Sequence, residues 1–346
     1  MGGRSSVNKT GKGGAFISPR GGRSSVDNFA FPLDVVDKGN PLRQTWGMTD
    51  KPPPPVTTLQ RTIVNAGMEI ADFTHDRPEY LHSLLCQLGL PRSRQEGRTF
   101  TRSAGNSSLL ISAGSYHNGQ RFVEAPLPYG AKPRLAMIHL CSEAVRTQDR
   151  FIDVSGGFAP FLRTIGLQVS GQNWREFKDQ MGYLSVAQMT LAFHAQGKGL
   201  RQSQFLPVEE FSAWSDPTTG QAPLWPDHIA LSPLFFETLC EHAVPLDPRA
   251  VHVLQKSALA IDVYSWLAHR LCRVRTDAGV KLSWANLKEQ FGHEYKTSRD
   301  FKKEFRPALR KALVVYPDAR VSEEMGGIRL YPSPPPIKKT SIAVLR

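Results

Sequence analysis

Arg299, Lys302, Lys303, Arg306 and Arg310 stand on one face of a stretch whose apolar residues recur on the other. Clustered Lys and Arg displace counterions from a polyanion, and a few of them can reach base edges in a groove. The elements that must position them are legible. Ser283 caps a first helix through Trp284, Leu287 and Phe291, and Phe291-Gly292 ends it. Thr297 or Ser298 opens a second, in which Phe301, Phe305, Ala308, Leu309, Ala312 and Leu313 recur at intervals of three and four. Two strands, Ala319–Val321 and Ile328–Tyr331, fold over the turn 323–327 with its Gly pair. Helix, turn, basic helix and hairpin is the order of a winged helix. It is equally that of a solvated basic helix on an ordinary α+β domain, and the pattern alone does not choose. Pro307 interrupts the basic helix, at about 3 kcal/mol unless the helix kinks or breaks into two pieces there.

Other candidate chemistries have weaker support. Tyr183, Tyr264 and Tyr295 are candidate strand-transferring nucleophiles, yet the sequence has no His-x-His pair to hold a metal beside them. There is no G-x-x-x-x-G-K-[ST] loop for a nucleotide. His75, Asp76 and Glu79 read as a polar surface loop rather than a metal cluster. Cys86, Cys141, Cys240 and Cys272 lie far apart without a C-x-x-C pair, so reduced, packed thiols are expected. No catalytic residue, metal or cofactor is expected, and the chain reads as a binding protein.

The 346 residues are 40% hydrophobic, enough for two domains with cores of their own. Forty-three Lys and Arg against 31 Asp and Glu leave a net charge of +12, which favours an anionic partner. No apolar run approaches the ~18 residues of a membrane span, and the first residues lack the apolar core of a signal peptide. A cytoplasmic protein without membrane contact is expected.

The fold class expected is α+β, mostly helical: two tandem winged-helix domains behind a disordered N-terminal tail. Residues 1–60 are Gly-, Ser- and Pro-rich, with GGRSSV occurring at Gly2–Val7 and again at Gly21–Val26. Residues 61–108 form a lead-in, with a helix over Glu79–Leu88 and then Arg92, Arg94, Arg98 and Arg102 in a loop read as a phosphate-contacting arm. The first domain occupies 109–212: helices over Arg134–Gln148, Phe158–Ile165 and Trp174–Leu184, the last capped by Asn173, then strands Ser185–His194 and Arg201–Glu209 around a tip at Gln196–Gly199. A Pro- and Gly-rich linker follows at 213–227. The second domain occupies 228–332, with its longest helix over Ala258–Val274, and 333–346 is a flexible tail.

Several long strings, in order, resemble the RepA family of plasmid replication initiators: CQLGLPRSRQEGRTFTRSAG (Cys86–Gly105), PLPYGAKPRLAMIHLCSEAVRTQ (Pro126–Gln148), AVPLDPRAVHVLQKSALAIDVYSWLAHRL (Ala243–Leu271) and SWANLKEQFGHEY (Ser283–Tyr295), with YPDARV and YPSPPP beyond them. The resemblance implies a bacterial, theta-type initiator that binds repeated double-stranded sites in a plasmid origin, promotes opening and recruits the host initiator and replicative helicase proteins, with a proximal domain that contributes to homodimers. It implies that the distal domain reads the repeat through Arg299, Lys302, Lys303, Arg306 and Arg310. Arg175, Lys178 and the tip residue Lys198 are the weaker backbone contacts of the proximal domain. The alternatives are a sequence-specific transcription repressor of the same build, a rolling-circle nicking enzyme and a DNA-packaging protein.

Overall fold

The structure is a computed structural model that describes residues 57–73, 77–117, 120–195, 199–211 and 227–337. Lys198, the His75–Asp76 pair, the linker at 213–226 and the tail before Thr57 lie outside these residues. The described residues form one compact unit.

Thr57 starts the order. Its hydroxyl accepts the Gln60 amide while the Gln60 side chain returns to the Thr57 amide, a capping box that begins α1 (Thr58–Asp72). Ile63, Ala66 and Gly67 face inward. A Cβ on Gly67 would stand 2.3 Å from the Val314 carbonyl oxygen, so this glycine lets two helices meet at backbone distance.

Residues 79–88 are not one helix. Glu79–His82 is strand β1 and only Ser83–Leu88 is helical, as α2. The apolar spacing is real, since Leu81, Leu84, Leu85 and Leu88 are all buried. What overrides it is a distant partner: the amides of β1 pair antiparallel with β11 (Ala243–Leu246), Leu81 opposite Val244. His82 then caps α2, its Nδ1 accepting the Leu84 amide at 3.0 Å. Next come β2 (Thr99–Ala104), β3 (Ser107–Ser112) and a small hairpin, β4 (Ser115–His117) with β5 (Phe122–Glu124).

The first half continues with α3 (Ala131–Thr147), β6 (Phe151–Asp153), α4 (Phe158–Thr164) and α5 (Gly171–Ser185). The cap of α5 is Ser170, whose hydroxyl accepts the Asn173 amide, so Asn173 lies inside the helix rather than at its start. Phe177, Met181 and Leu184 are buried as their spacing demands, whereas Trp174 is turned outward. Strands β7 (Gln188–Ala195) and β8 (Gly199–Phe205) complete a four-stranded antiparallel sheet in the order β2-β3-β7-β8, with Leu109, Ile111 and Met189 beneath it. β9 (Val208–Phe211) and β6 both pair with β10 (His228–Leu231).

The second half holds α6 (Pro233–His242), β11, α7 (Pro248–Leu254) and α8 (Ala258–Arg270), which ends in a single 3-10 turn over Leu271–Arg273. Strand β12 (Val280–Ser283), whose alternation of apolar and polar residues is only four residues long, leads into α9 (Trp284–Phe291). α10 spans Ser298–Val314 without a break, so Pro307 sits within one helix and does not divide it in two. β13 (Val321–Glu324) and β14 (Gly327–Leu330) close a three-stranded sheet in the order β12-β14-β13. The hairpin starts two residues later than the sequence suggests because its turn is tighter: Gly326, at φ +90°, makes it with Met325.

Buried apolar side chains run as one cluster from Ile63 to Leu330, through both halves of the chain. The molecule is of mixed helix and sheet. Cys86 and Cys141 are packed thiols, their pKa values raised by burial, that of Cys141 to about 12. Cys240 and Cys272, in contrast to the expectation, are exposed. No helix among the described residues is long and apolar enough to cross a membrane.

Candidate nucleic-acid interface

α10 is held from below by aromatic rings. Trp284 meets Phe301 and Phe305 edge-on, at 6.5 and 6.1 Å between centroids, and Phe291 lies 5.5 Å from Phe305. Phe301, Phe305, Ala308, Leu309 and Ala312 are buried, which fixes the rotation of the helix about its axis. Arg299, Lys303, Arg306 and Arg310 then fall on the opposite side, at steps of four, three and four residues, over a length of about 16 Å. Lys302 lies at one margin of that row.

Thr297 caps the helix by accepting the Asp300 amide, and the Asp300 carboxylate accepts the Thr297 hydroxyl. Arg299, Lys303 and Arg310 are exposed and make no ion pair among the described residues. Lys302 and Arg306 are half-buried against the indole of Trp284, at 5.3 and 5.1 Å from its centroid. Arg306 is also paired with Glu323 of β13 at 2.6 Å. Spacing cannot foretell this partner, which lies beyond the end of α10 on β13, and Glu323 reads in the sequence merely as part of a turn. The hairpin tip puts Met325 into solvent, 94% exposed.

The first half offers a thinner array. Arg175 is exposed and its Nε donates to the Gly171 carbonyl, while the Lys178 ammonium lies 5.0 Å from the Trp174 ring. Glu176, on the same helix, is engaged with Lys132 and Gln172, and the Lys132 bond holds its carboxyl below the usual range.

The arginines of 92–102 form no phosphate arm. Arg92 and Arg102 are buried, in one cluster with Arg134 of α3, Asp262 of α8 and Glu294 beyond α9. Arg134 grips Asp262 through two bonds, of 2.6 and 2.9 Å, and donates to the Pro91, Gly130 and Leu90 carbonyls. Arg92 donates to Glu294 and to the Phe291 carbonyl. Arg102, 1% exposed, stands 3.8 Å from both carboxylates, and burial lowers its pKa to about 10. Arg98 is spent on the Ala113 and Gly114 carbonyls and on Glu124, which leaves Arg94 alone of the four exposed without such a partner among the described residues.

The three candidate tyrosines differ in their surroundings. Tyr264 is fully buried on α8, its oxygen accepts the Asp247 amide at 2.8 Å, and burial pushes its phenol well up. Burial likewise raises Tyr183 and Tyr295. Among the described residues no group of His, Cys, Asp and Glu could hold a metal ion.

Residues 127–286 match the family model described as plasmid encoded RepA protein. The match runs from before α3 into the start of α9, and α10 lies beyond its end. No curated protein sequence matches the chain. Among solved structures, a crystal structure of RctB domains 2-3 is similar at 14% identity and a TM-score of 0.46, covering 71% of this chain and 94% of that one. Selenomethionine derivatives of the same two domains give 15% and 0.47 over the same shares, a distant likeness. Over residues 127–286, just under half of its 346 residues, the chain is thus similar to the plasmid-encoded RepA proteins.

Proposed function

We propose that the protein is a replication initiator that binds repeated double-stranded sites in a plasmid origin, that α10 lies in the major groove, and that the β13–β14 hairpin rests beside it as a wing. The observation that carries this reading is the row Arg299, Lys303, Arg306 and Arg310, set opposite a fully packed aromatic face. Phosphate neutralisation supplies affinity without regard to sequence, and contacts to base edges select the repeat. Lys302, at the margin of the row, contacts backbone. Arg175, Lys178 and Lys198 add weaker backbone contacts from the first half, which is a second winged-helix domain in this reading, with the domains at 109–212 and 228–332. The bound complex bends and opens the origin and recruits the host initiator and helicase in the cytoplasm, with homodimers as one binding form. The reading involves no catalysis by the chain itself; the raised, engaged phenol of Tyr264 weighs against a nicking mechanism.

The test is binding to duplexes cut from the gene's own flanks, at several salt concentrations and with unrelated duplex as competitor, for wild type and for Lys303→Ala combined with Arg310→Ala. One flank should resist competition, and the double variant should lower the slope of log K against log salt by roughly 2, about 0.9 for each phosphate no longer neutralised. Equal binding of all duplexes by the wild type sinks origin recognition and favours a packaging protein. A variant with an unchanged slope sinks the role of α10.

A further inference from the structure

Arg306 differs from the other cations of its row in being held on two sides. Its Nε and one terminal nitrogen both donate to the same oxygen of Glu323, at 2.8 and 2.6 Å. Its guanidinium carbon lies 5.1 Å from the centroid of Trp284, a residue fixed at the first position of α9 between Phe301 and Phe305. Glu323 belongs to β13, where it pairs with Ile328 of β14. A carboxylate on the wing and a ring under the helix therefore set the position and tilt of one guanidinium. Arg299, Lys303 and Arg310 have no such support among the described residues and keep their freedom to follow phosphates.

A guanidinium has five N–H donors in a rigid fork. Two are committed to Glu323 and three remain, both on the nitrogen that Glu323 does not touch and one on its neighbour. That remaining edge is the planar donor pair that matches O6 and N7 of guanine. We propose that Glu323 is a positioning residue for base selection, holding Arg306 so that it reads one guanine in the recognised repeat while its unheld neighbours bind phosphate. The inference rests on the groove reading of α10 given above.

The arrangement also acts against wrong sequences. On a duplex with no guanine at that place, Arg306 can reach a phosphate only by leaving Glu323, and the carboxylate then faces the polyanion without a partner. Glu323 should thus weaken binding to unrelated DNA while sharpening choice. This sign separates positioning from simple attraction, because removing an acidic side chain that merely sits near DNA tightens every duplex alike.

The experiment is selection by the full chain from a pool of random-sequence duplexes, with sequencing of the bound fraction, for wild type, Glu323→Gln and Arg306→Ala. Wild type should enrich a motif. Glu323→Gln should keep that motif except at one G·C pair, where the preference falls roughly tenfold or more, with binding to the unselected pool equal or tighter. Arg306→Ala should relax the same pair. A wild-type motif that Glu323→Gln leaves intact, or loosens evenly at every position, overturns the role of Glu323 alone. A wild type that enriches no motif overturns the groove reading and this inference with it.

Discussion

Two groups of cations, similar in sequence, have opposite surroundings. Arg92 and Arg102 follow one another through a polar stretch, as Arg299, Lys303, Arg306 and Arg310 do along α10. The first pair is taken inside and joined there by Arg134, under carboxylates that arrive from α8 and from beyond α9. The second row stays outside, because the face behind it is filled by aromatic rings. The difference teaches that the fate of an arginine is decided by where the carboxylates are. Asp262 and Glu294 lie about 160 to 200 residues further along the chain than Arg92 and Arg102, so no local spacing announces them.

The comparison can be broken or sharpened by substitution. The largest effect belongs to Asp262→Ala, which leaves three buried arginines against Glu294 alone. It should cost about 3–5 kcal/mol in urea denaturation, the scale of an uncompensated buried charge. A loss under 1 kcal/mol would mean that water reaches the cluster and that the two regions are not opposites. Lys303→Ala with Arg310→Ala, which strikes DNA binding, should move stability by only about 0.5 kcal/mol per site.

Acid gives the next effect. His82 is buried between β1 and α2, beside Thr238, and burial lowers its pKa from 6.5 to about 4. Folding favours the neutral ring, so its contribution is complete above pH 6.5, is lost as the pH falls from 6.5 to about 4, and changes no further below that. The loss is on the order of 3 kcal/mol by linkage. His82→Asn, which keeps an acceptor for the Leu84 amide, should flatten that limb in denaturation curves taken across the range. An unchanged limb would assign the acid loss to other groups.

The smallest effect is expected at Arg102→Met. The cluster holds three cations and two anions, and Arg102 is the member with no close partner, so an apolar chain of similar length should cost less than about 1 kcal/mol or even stabilise. A cost approaching that of Asp262→Ala would show that the surplus charge is structural.

Much of this is legible in the residues themselves. α9 and α10 stand close to where Ser283, Thr297 and their apolar periods place them, because caps and periodicity are local. The basic row follows from the same periodicity. β1 reads as helix because its β partner is remote in sequence, and β12 escapes notice because its apolar–polar alternation, Val280-Lys281-Leu282-Ser283, is only four residues long. Pro307 reads as a kink or a break in α10; the helix runs on, with the residue exposed beside the basic row. The pairing of Arg306 with Glu323, on which base choice is proposed to turn, is a tertiary contact and invisible to spacing.

The pairing of β1 with β11 has a consequence for synthesis. The two strands are separated by about 160 residues, and a ribosome adding roughly 5–20 residues per second needs on the order of ten seconds to deliver the second after the first. Throughout that interval Leu81, Leu84, Leu85 and Leu88 have neither their strand partner nor α8 to cover them. α3 can pack on β1 early, but the newborn chain keeps an open strand edge until β11 arrives, which makes the speed of translation, as much as final stability, a determinant of how much folded protein a cell obtains.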